Sequence, residues 1–178
     1  ELFMNAEVRN EEKRHAEIWW DLHRDKRMIA ITPTMKPYVP VYDDRGRWTG
    51  KNQSVPIDEI LATENLRHFT NRLDRVLSNK SRRKRTPIPK IFVMEQIDCK
   101  PHFHGIVALD RTVTNDVALE RLIGESWSAT SYGGNIQIDT FYENSDGDYG
   151  PIDFGWLSYI TKFKDIDNDC ICYQSTQL

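Results

Sequence analysis

The sequence predicts an α+β domain in which helices flank a central antiparallel β-sheet, and three observations support this fold class. Segments with helical periodicity alternate with strand-like runs in the order strand, helix, strand pair, helix, strand, helix. Only the short segment 98–102 separates the apolar runs 91–97 and 103–109, so these two strands are predicted to pair antiparallel. The chain has 178 residues, of which 39% are hydrophobic, and this suffices for one core but not for two full domains.

The first half of the chain is predicted to contain two helices, one strand and a long connection. Residues 10–25 form a charged helix with Ile18, Trp19 and Leu22 on one side, and residues 28–34 form a short strand. Residues 36–56 are rich in turn formers, with room for a hairpin. Residues 58–80 then form the clearest helix, whose apolar face at spacings of three and four contains Leu66, Phe69, Leu73, Val76 and Leu77.

The second half continues with a helix, a strand and a third helix after the strand pair. Asn115 is the predicted N-cap of a helix that packs through Leu119, Leu122 and Ile123. The alternation of apolar and polar residues over 135–143 predicts a strand with one buried face. The last helix, over 153–165, is predicted to bury Trp156, Ile160 and Phe163.

Composition excludes several classes of protein. The chain is 29% charged with a formal net charge of −3, which is typical of a globular rather than a disordered protein. No apolar stretch approaches the roughly 20 residues of a membrane span, and no secretory signal is recognisable at the N-terminus. Cys99, Cys170 and Cys172 are an odd set that favours reduced thiols. We therefore expect a soluble, cytoplasmic protein with no membrane partner.

One stretch of the chain is strongly basic. The segment 80–90 contains six cationic side chains and no acidic one, whereas the rest of the chain is acidic overall. A localised cationic segment on an acidic protein is suited to contact a phosphate backbone, although a solvated loop between a helix and a strand explains it equally well. The predicted DNA-binding residues are Lys80, Arg82, Arg83, Lys84, Arg85 and Lys90.

Two histidines interrupt the second strand of the pair. Because side chains alternate along a strand, His102 and His104 project from the same face while Phe103 enters the core. A turn over 98–101 would place Glu95 of the partner strand beside them. Two imidazoles and a carboxylate with open positions form a site for a divalent ion that must still bind a substrate.

Three alternatives compete with this interpretation. The histidines could lie on a solvated face, or Cys99, Cys170 and Cys172 could form a structural zinc site, although zinc cysteines usually occur as a CxxC pair. A histidine-triad nucleotide hydrolase would need a third histidine at position 106, which is an isoleucine.

The last helix adds a nucleophile to this set. Tyr159 and Lys162 are three residues apart in "YITK" and are predicted to share one helical face. A tyrosine can attack a phosphodiester and hold it as a phosphotyrosine ester. A metal ion and a lysine would supply the positive charge which that reaction needs.

These motifs, in this order, resemble those of the HUH endonucleases, specifically the rolling-circle replication initiators of plasmids, phages and single-stranded DNA viruses. "IAITPTMKP" at 29–37 resembles the first motif, "PHFHG" at 101–105 the His-hydrophobic-His motif, and "YITK" at 159–162 the tyrosine motif with a single tyrosine. Glu95 stands where the viral initiators carry their third metal ligand. The resemblance spans residues 28–164 and implies a ferredoxin-like or RRM-like fold. We therefore expect a helical extension over 1–27, the endonuclease domain over 28–170 and a tail over 171–178.

The resemblance also implies an activity. Tyr159 would nick one DNA strand, remain joined to the 5′ phosphate and leave a free 3′-OH. Lys162 would stabilise the developing charge or help to deprotonate the tyrosine. Glu95, His102 and His104 would hold Mg²⁺ or Mn²⁺. The implied partners are single-stranded DNA or an origin hairpin, a host or fused helicase, and a polymerase. The implied location is the cytoplasm for a bacterial, phage or plasmid protein, and the nucleus of an infected host for a protein of a eukaryotic virus. Transposases and relaxases share this chemistry, although a relaxase usually has three metal-site histidines and a tyrosine near its N-terminus. A DNA-binding module without catalysis is the alternative from another class.

Overall fold

The computed structural model describes residues 2–78, 87–97, 100–143, 149–162 and 170–171. These residues form four helices and nine strands. The elements, in chain order, are α1 Leu2–His23, β1 Arg27–Met35, β2 Tyr38–Tyr42, β3 Trp48–Ser54, α2 Glu59–Leu77, β4 Lys90–Ile97, β5 Lys100–Leu109, α3 Asp116–Ser128, β6 Gly133–Asp139, β7 Phe141–Glu143, β8 Tyr149–Pro151, α4 Phe154–Ile160 and β9 Cys170–Ile171.

The main sheet is antiparallel and has the strand order β6-β1-β5-β4-β9, in which β9 is a two-residue strand. Apart from the β2–β3 hairpin, the chain from β1 to β6 follows the order β1, α2, β4, β5, α3, β6. In the sheet, β5 lies between β1 and β4. This is the split βαβ arrangement of ferredoxin-like folds. The predicted fold class, an antiparallel sheet flanked by helices, is confirmed.

Helices cover both faces of the sheet, and the alternation of strand side chains decides what each face buries. On one face, α2 and α3 pack on the larger cluster, which includes Phe69, Phe92, Phe103 and Trp127. On the other face, α1 and α4 pack on a second cluster through Ala16, Trp19, Ala30, Val93, Ile106 and Leu157. Both faces of the sheet therefore have a helix-covered core, and His102 and His104 project from the face that α1 and α4 cover.

Polar side chains begin three of the helices. Asp58 accepts a hydrogen bond from the Leu61 amide at 2.8 Å, and Asn115 accepts one from the Ala118 amide at 3.0 Å. Asp153 accepts from the amides of Gly155 and Trp156, and so starts α4 directly after the buried Ile152. The predicted cap at Asn115 is confirmed.

Several elements differ from the sequence-based expectation. Among the described side chains of α1, Glu12, Ala16 and Trp19 are buried and Ile18 and Leu22 are exposed, so only Trp19 of the predicted apolar side packs in the core. The long strand expected over 135–143 is interrupted at Thr140, because β7 leaves the main sheet and pairs with β8. The hairpin expected in 36–56 is present as β2 and β3.

The N-terminal helix is not separate from the sheet. Ala16 and Trp19 are fully buried in the same cluster as Ala30 and Ile106. Helix α1 therefore completes the core of the face that α4 also covers. The predicted C-terminal tail, apart from Ile171, lies outside the described residues, as does Phe163. Among the helices that the structure describes, none is both long enough and apolar enough to cross a membrane.

Candidate metal centre and catalytic tyrosine

Strands β4 and β5 bring one carboxylate and two imidazoles to a single point on the sheet. Glu95 is the direct antiparallel partner of His102, and Val93 is the partner of His104. His102, His104 and Glu95 lie on the same face as Val93 and Ile106, which α1 and α4 cover further along the strands. The strand register therefore assembles the three side chains without any loop.

The three side chains converge on one carboxylate oxygen. Oε2 of Glu95 lies 3.0 Å from Nε2 of His102 and 3.0 Å from Nε2 of His104. The two imidazole rings are 5.1 Å apart between centroids and nearly perpendicular, at 76°. All three side chains are partly buried, with 13–19% of each side chain exposed, so the cluster is open to solvent on one side. It therefore does not lie on a fully solvated face.

This arrangement fits a divalent cation. One ligand atom from each residue lies within 4.8 Å of the other two, so the cluster could hold a metal ion. Two ligands about 2.1 Å from an octahedral ion and at right angles to each other are separated by about 3.0 Å, which matches both Glu95–histidine distances. Two nitrogens and one oxygen occupy half of an octahedron and leave positions for substrate oxygens and water.

Thr32 of β1 extends the cluster to a third strand. Its Oγ1 lies 3.3 Å from Nδ1 of His104. When Nδ1 donates its proton to this hydroxyl, the lone pair of Nε2 is directed towards Glu95 and any bound cation. The sequence predicts a threonine-bearing strand, and the structure shows that the hydroxyl of Thr32 is the one that approaches His104.

Tyr159 is close to the cluster on α4. Its ring centroid is 6.3 Å from that of His104, with the planes at 85°, and 42% of the residue is exposed. The ring of Trp156 packs against it at 5.6 Å. Leu157 and Ile160 of α4 are buried against the sheet and hold the helix in place. The ring of Tyr159, on the same helix, remains accessible to solvent.

Lys162 approaches Tyr159 from outside the helix. Helix α4 ends at Ile160, and Lys162 lies in the following turn, where its amide donates to the Tyr159 carbonyl at 3.3 Å. Its Nζ is 5.6 Å from the centroid of the Tyr159 ring, a cation–π geometry. The structure therefore brings Glu95, His102, His104, Tyr159 and Lys162 into one region, although Tyr159 and Lys162 do not share a helical face as expected.

The glycine that ends "PHFHG" has a packing role. A Cβ atom at Gly105 would lie 2.3 Å from two ring carbons of Phe92, its partner across β4 and β5. Phe92 is fully buried, so its ring has little room to move away. Gly105 thus allows the aromatic core to approach the strand immediately after His104.

Lys90 is not available to bind DNA. Only 1% of its side chain is exposed, and Nζ donates to Oδ1 of Asp74 at 2.7 Å and to the Ile88 carbonyl at 2.9 Å. Burial lowers the pKa of Lys90, and the adjacent Asp74 carboxylate partly offsets this effect. The prediction that Lys90 contacts phosphate is therefore wrong, because the side chain forms a buried ion pair. Lys80, Arg82, Arg83, Lys84 and Arg85 lie outside the described residues.

The alternatives raised by the sequence are answered in part. Ile106 is fully buried in the cluster beneath α1 and α4, so it contributes only packing. Cys99 and Cys172 lie outside the described residues, and Cys170 belongs to β9, where it pairs with Met94.

No protein family model, curated protein or solved structure matches this chain. The functional assignment consequently depends on the chemistry of the site itself.

Proposed function

We propose that this chain is a metal-dependent endonuclease of the HUH type, which nicks and rejoins single-stranded DNA through a phosphotyrosine intermediate. The observation that carries the proposal is the position of Tyr159, whose ring lies 6.3 Å from the ring of His104 in a cluster of two histidines and one glutamate. A nucleophile beside a cation site, with both partly open to solvent, is what phosphodiester transfer requires.

The reaction follows from the roles that each residue can perform. Oη of Tyr159 attacks the phosphorus, the bond from phosphorus to the 3′ oxygen breaks, and the 5′ phosphate stays on the tyrosine. The proton of the phenol passes to solvent or base, and the departing 3′ oxygen takes up a proton. The ammonium of Lys162, 5.6 Å from the centroid of the Tyr159 ring, is placed to stabilise the anionic transition state.

The metal ligands have a positioning role in this scheme. His102, His104 and Glu95 would hold Mg²⁺ or Mn²⁺, which would polarise the scissile phosphate and neutralise part of its charge. Thr32 orients the imidazole of His104, and the packing of α4 against the sheet keeps Tyr159 beside the cluster. Attack by the 3′-OH on the phosphotyrosine reverses the reaction and rejoins the strand.

The biological setting belongs to the same proposal. Rolling-circle initiation, with a host or fused helicase and a polymerase using the 3′-OH, is the setting that the three motifs favour. A transposase or relaxase would use the same residues. A non-catalytic DNA-binding module is the alternative from another class, and the proximity of Tyr159 to the histidine cluster argues against it.

A covalent-adduct assay tests the proposal. A panel of end-labelled single-stranded oligonucleotides is incubated with the protein and Mn²⁺, and a denaturing gel resolves any protein–DNA adduct. We expect an adduct with the native protein, none with Tyr159→Phe, and an unchanged yield with Tyr38→Phe, an exposed tyrosine on β2. Adduct formation by Tyr159→Phe would show that another tyrosine is the nucleophile. DNA binding without any adduct across the panel would favour the non-catalytic module.

A further inference from the structure

A cationic cavity lies at the opposite end of the sheet from the histidine cluster. Its volume is about 440 Å³, within the usual range for ligand pockets. It is formed where α1 ends, β1 begins and β6 passes into β7. Arg24, Lys26, Arg27 and Arg111 supply four cationic side chains, and the lining contains no carboxylate among the described residues.

Two of these cations are held by the protein. The guanidinium of Arg27 donates to the Val113 carbonyl and pairs with Asp116, and Nε of Arg111 donates to the Asp25 carbonyl. These interactions fix the walls of the cavity. The remaining two cations, Arg24 and Lys26, form no ion pair within the part of the chain that the structure describes.

Acidic groups nearby weaken this positive charge only in part. Asp110 is close enough to Lys26 for the ammonium to help lower the pKa of its carboxyl, although the amide and hydroxyl of Thr112 have the larger effects. Burial and Lys26 lower the pKa of His23, and the carboxylate of Asp25, which acts in the opposite direction, does not offset them. Neither carboxylate lines the cavity, so an anionic ligand meets cations first.

The cavity also presents flat aromatic surfaces. Trp20 and Phe141 line it, and 56% of Phe141 is exposed. The ring of Phe154 packs edge-on against Trp20 at 6.0 Å, which holds the indole in place. Aromatic faces beside cationic groups are the combination that binds a nucleobase and its phosphate without selecting a sequence.

The cavity is connected to the proposed catalytic site by rigid elements. Arg27 pairs with Leu109 at one end of the β1–β5 ladder and Thr34 pairs with His102 at the other, seven residues or about 23 Å away. Ile152 lines the cavity, and Tyr159 follows it seven residues later on α4. Both sites border the face of the sheet that α1 and α4 cover.

We propose that this cavity binds a nucleotide of the same DNA strand that Tyr159 cleaves, several nucleotides from the scissile phosphate. The base stacks on Phe141 and Trp20, and the adjoining phosphates contact Arg24 and Lys26. This inference rests on the proposed function for the identity of the strand. Its own content is a second anchoring site, remote from the metal cluster, that reads no sequence.

The test uses the full chain carrying Tyr159→Phe, so that binding is measured without covalent attachment. The protein is titrated into a fluorescently labelled oligo-dT of 20 nucleotides at a series of salt concentrations. The Arg24→Ala/Lys26→Ala variant is expected to bind about tenfold more weakly, with a slope of log affinity against log salt about 1.4 smaller. Phe141→Ala is expected to lose about tenfold in affinity with its salt slope unchanged, because stacking involves no counterion release.

The matched control is Arg72→Ala/Arg75→Ala, which removes two exposed cations from α2 on the other side of the sheet. Its affinity and salt slope should stay near those of the parent, and far-UV circular dichroism and Tm verify that all variants fold. Affinity and salt slope unchanged in both cavity variants would overturn the proposal. Tight binding of thymidine 5′-monophosphate, with strand affinity unaffected by the variants, would also overturn it and indicate a free-nucleotide site.

The outcome is independent of the nuclease assay. If the native protein forms a covalent adduct but the cavity variants bind normally, the cavity proposal fails and the proposed function stands. If no adduct forms but the cavity variants lose strand affinity, the anchoring site stands and the nuclease proposal fails.

Discussion

Glu95 and His102 face each other directly across β4 and β5, and Oε2 of the glutamate is 3.0 Å from Nε2 of the histidine. The two residues are seven positions apart in the chain, and their approach depends on the pairing of two strands rather than on a loop. His104, two positions further along, approaches the same oxygen at the same distance. This shared oxygen is the basis of the first two predictions.

Removing either histidine should weaken metal binding. We expect His102→Ala and His104→Ala each to reduce the affinity for Mn²⁺ by at least tenfold, because one of three protein ligands is removed. Titration calorimetry with Mn²⁺ measures the change. His68→Ala, an exposed histidine on α2, serves as the control and should bind like the native protein. Equal affinity in all three variants would mean that the cluster is held only by hydrogen bonds between its members.

Thr32 should influence the metal site through His104. Thr32→Val removes the hydroxyl that lies 3.3 Å from Nδ1 of His104 while keeping the shape of the side chain, so Mn²⁺ affinity should fall about tenfold. Thr32→Ser retains the hydroxyl and should restore most of the affinity. A similar decrease in both variants would indicate a packing effect, and Tm measured on each protein separates that effect from the metal site.

Gly105→Ala should destabilise the fold. The new methyl group would lie 2.3 Å from the ring of Phe92, and overpacking of this kind costs about 2 kcal/mol. Thermal unfolding should show a Tm lower by about 6 °C. Gly124→Ala in α3 is the matched control, since nothing lies within 4 Å of its added Cβ and alanine favours the helix by about 1 kcal/mol. A stable Gly105→Ala protein would show that Phe92 can move aside.

The buried pair of Lys90 and Asp74 should matter for stability and not for DNA. Lys90→Met leaves the Asp74 carboxylate without its cation, at a cost of about 3 kcal/mol in the free energy of unfolding. The double variant Asp74→Leu/Lys90→Met should regain most of this stability. The salt dependence of DNA binding should be unchanged in both. A smaller salt slope in Lys90→Met would instead restore Lys90 as a phosphate-binding residue.

The basic stretch itself makes the complementary prediction. Neutralising Arg82, Arg83, Lys84 and Arg85 together should weaken binding to every single-stranded DNA alike and reduce the salt slope by about 0.7 for each phosphate that the protein no longer neutralises. Sequence preference should survive, because interactions with phosphates carry no sequence information. The rate of cleavage at saturating DNA should fall little. An unchanged salt slope would identify the stretch as a solvated loop.

The sequence predicted the sheet and the histidine cluster because both depend on short-range alternation. Period-two patterning orients His102, His104 and Phe103, and the antiparallel pairing of neighbouring strands brings Glu95 alongside. Long-range packing was less accessible. Ile18 and Leu22 are as hydrophobic as the buried Trp19, yet both are exposed, and the sequence pattern of α1 alone does not distinguish them from Trp19. The burial of Lys90 depends on Asp74, sixteen residues earlier, which no local pattern reveals.

The hydrogen bonds of Asp74 join α2 to the beginning of β4. Oδ1 of Asp74 holds both the Ile88 amide, at 2.9 Å, and the Lys90 ammonium, so the chain returns to α2 after leaving it at Ser78. Lys90 is five residues, about 17 Å, from Glu95 along β4. The ion pair therefore ties the beginning of the strand that carries Glu95 to α2, about 17 Å from the proposed metal site.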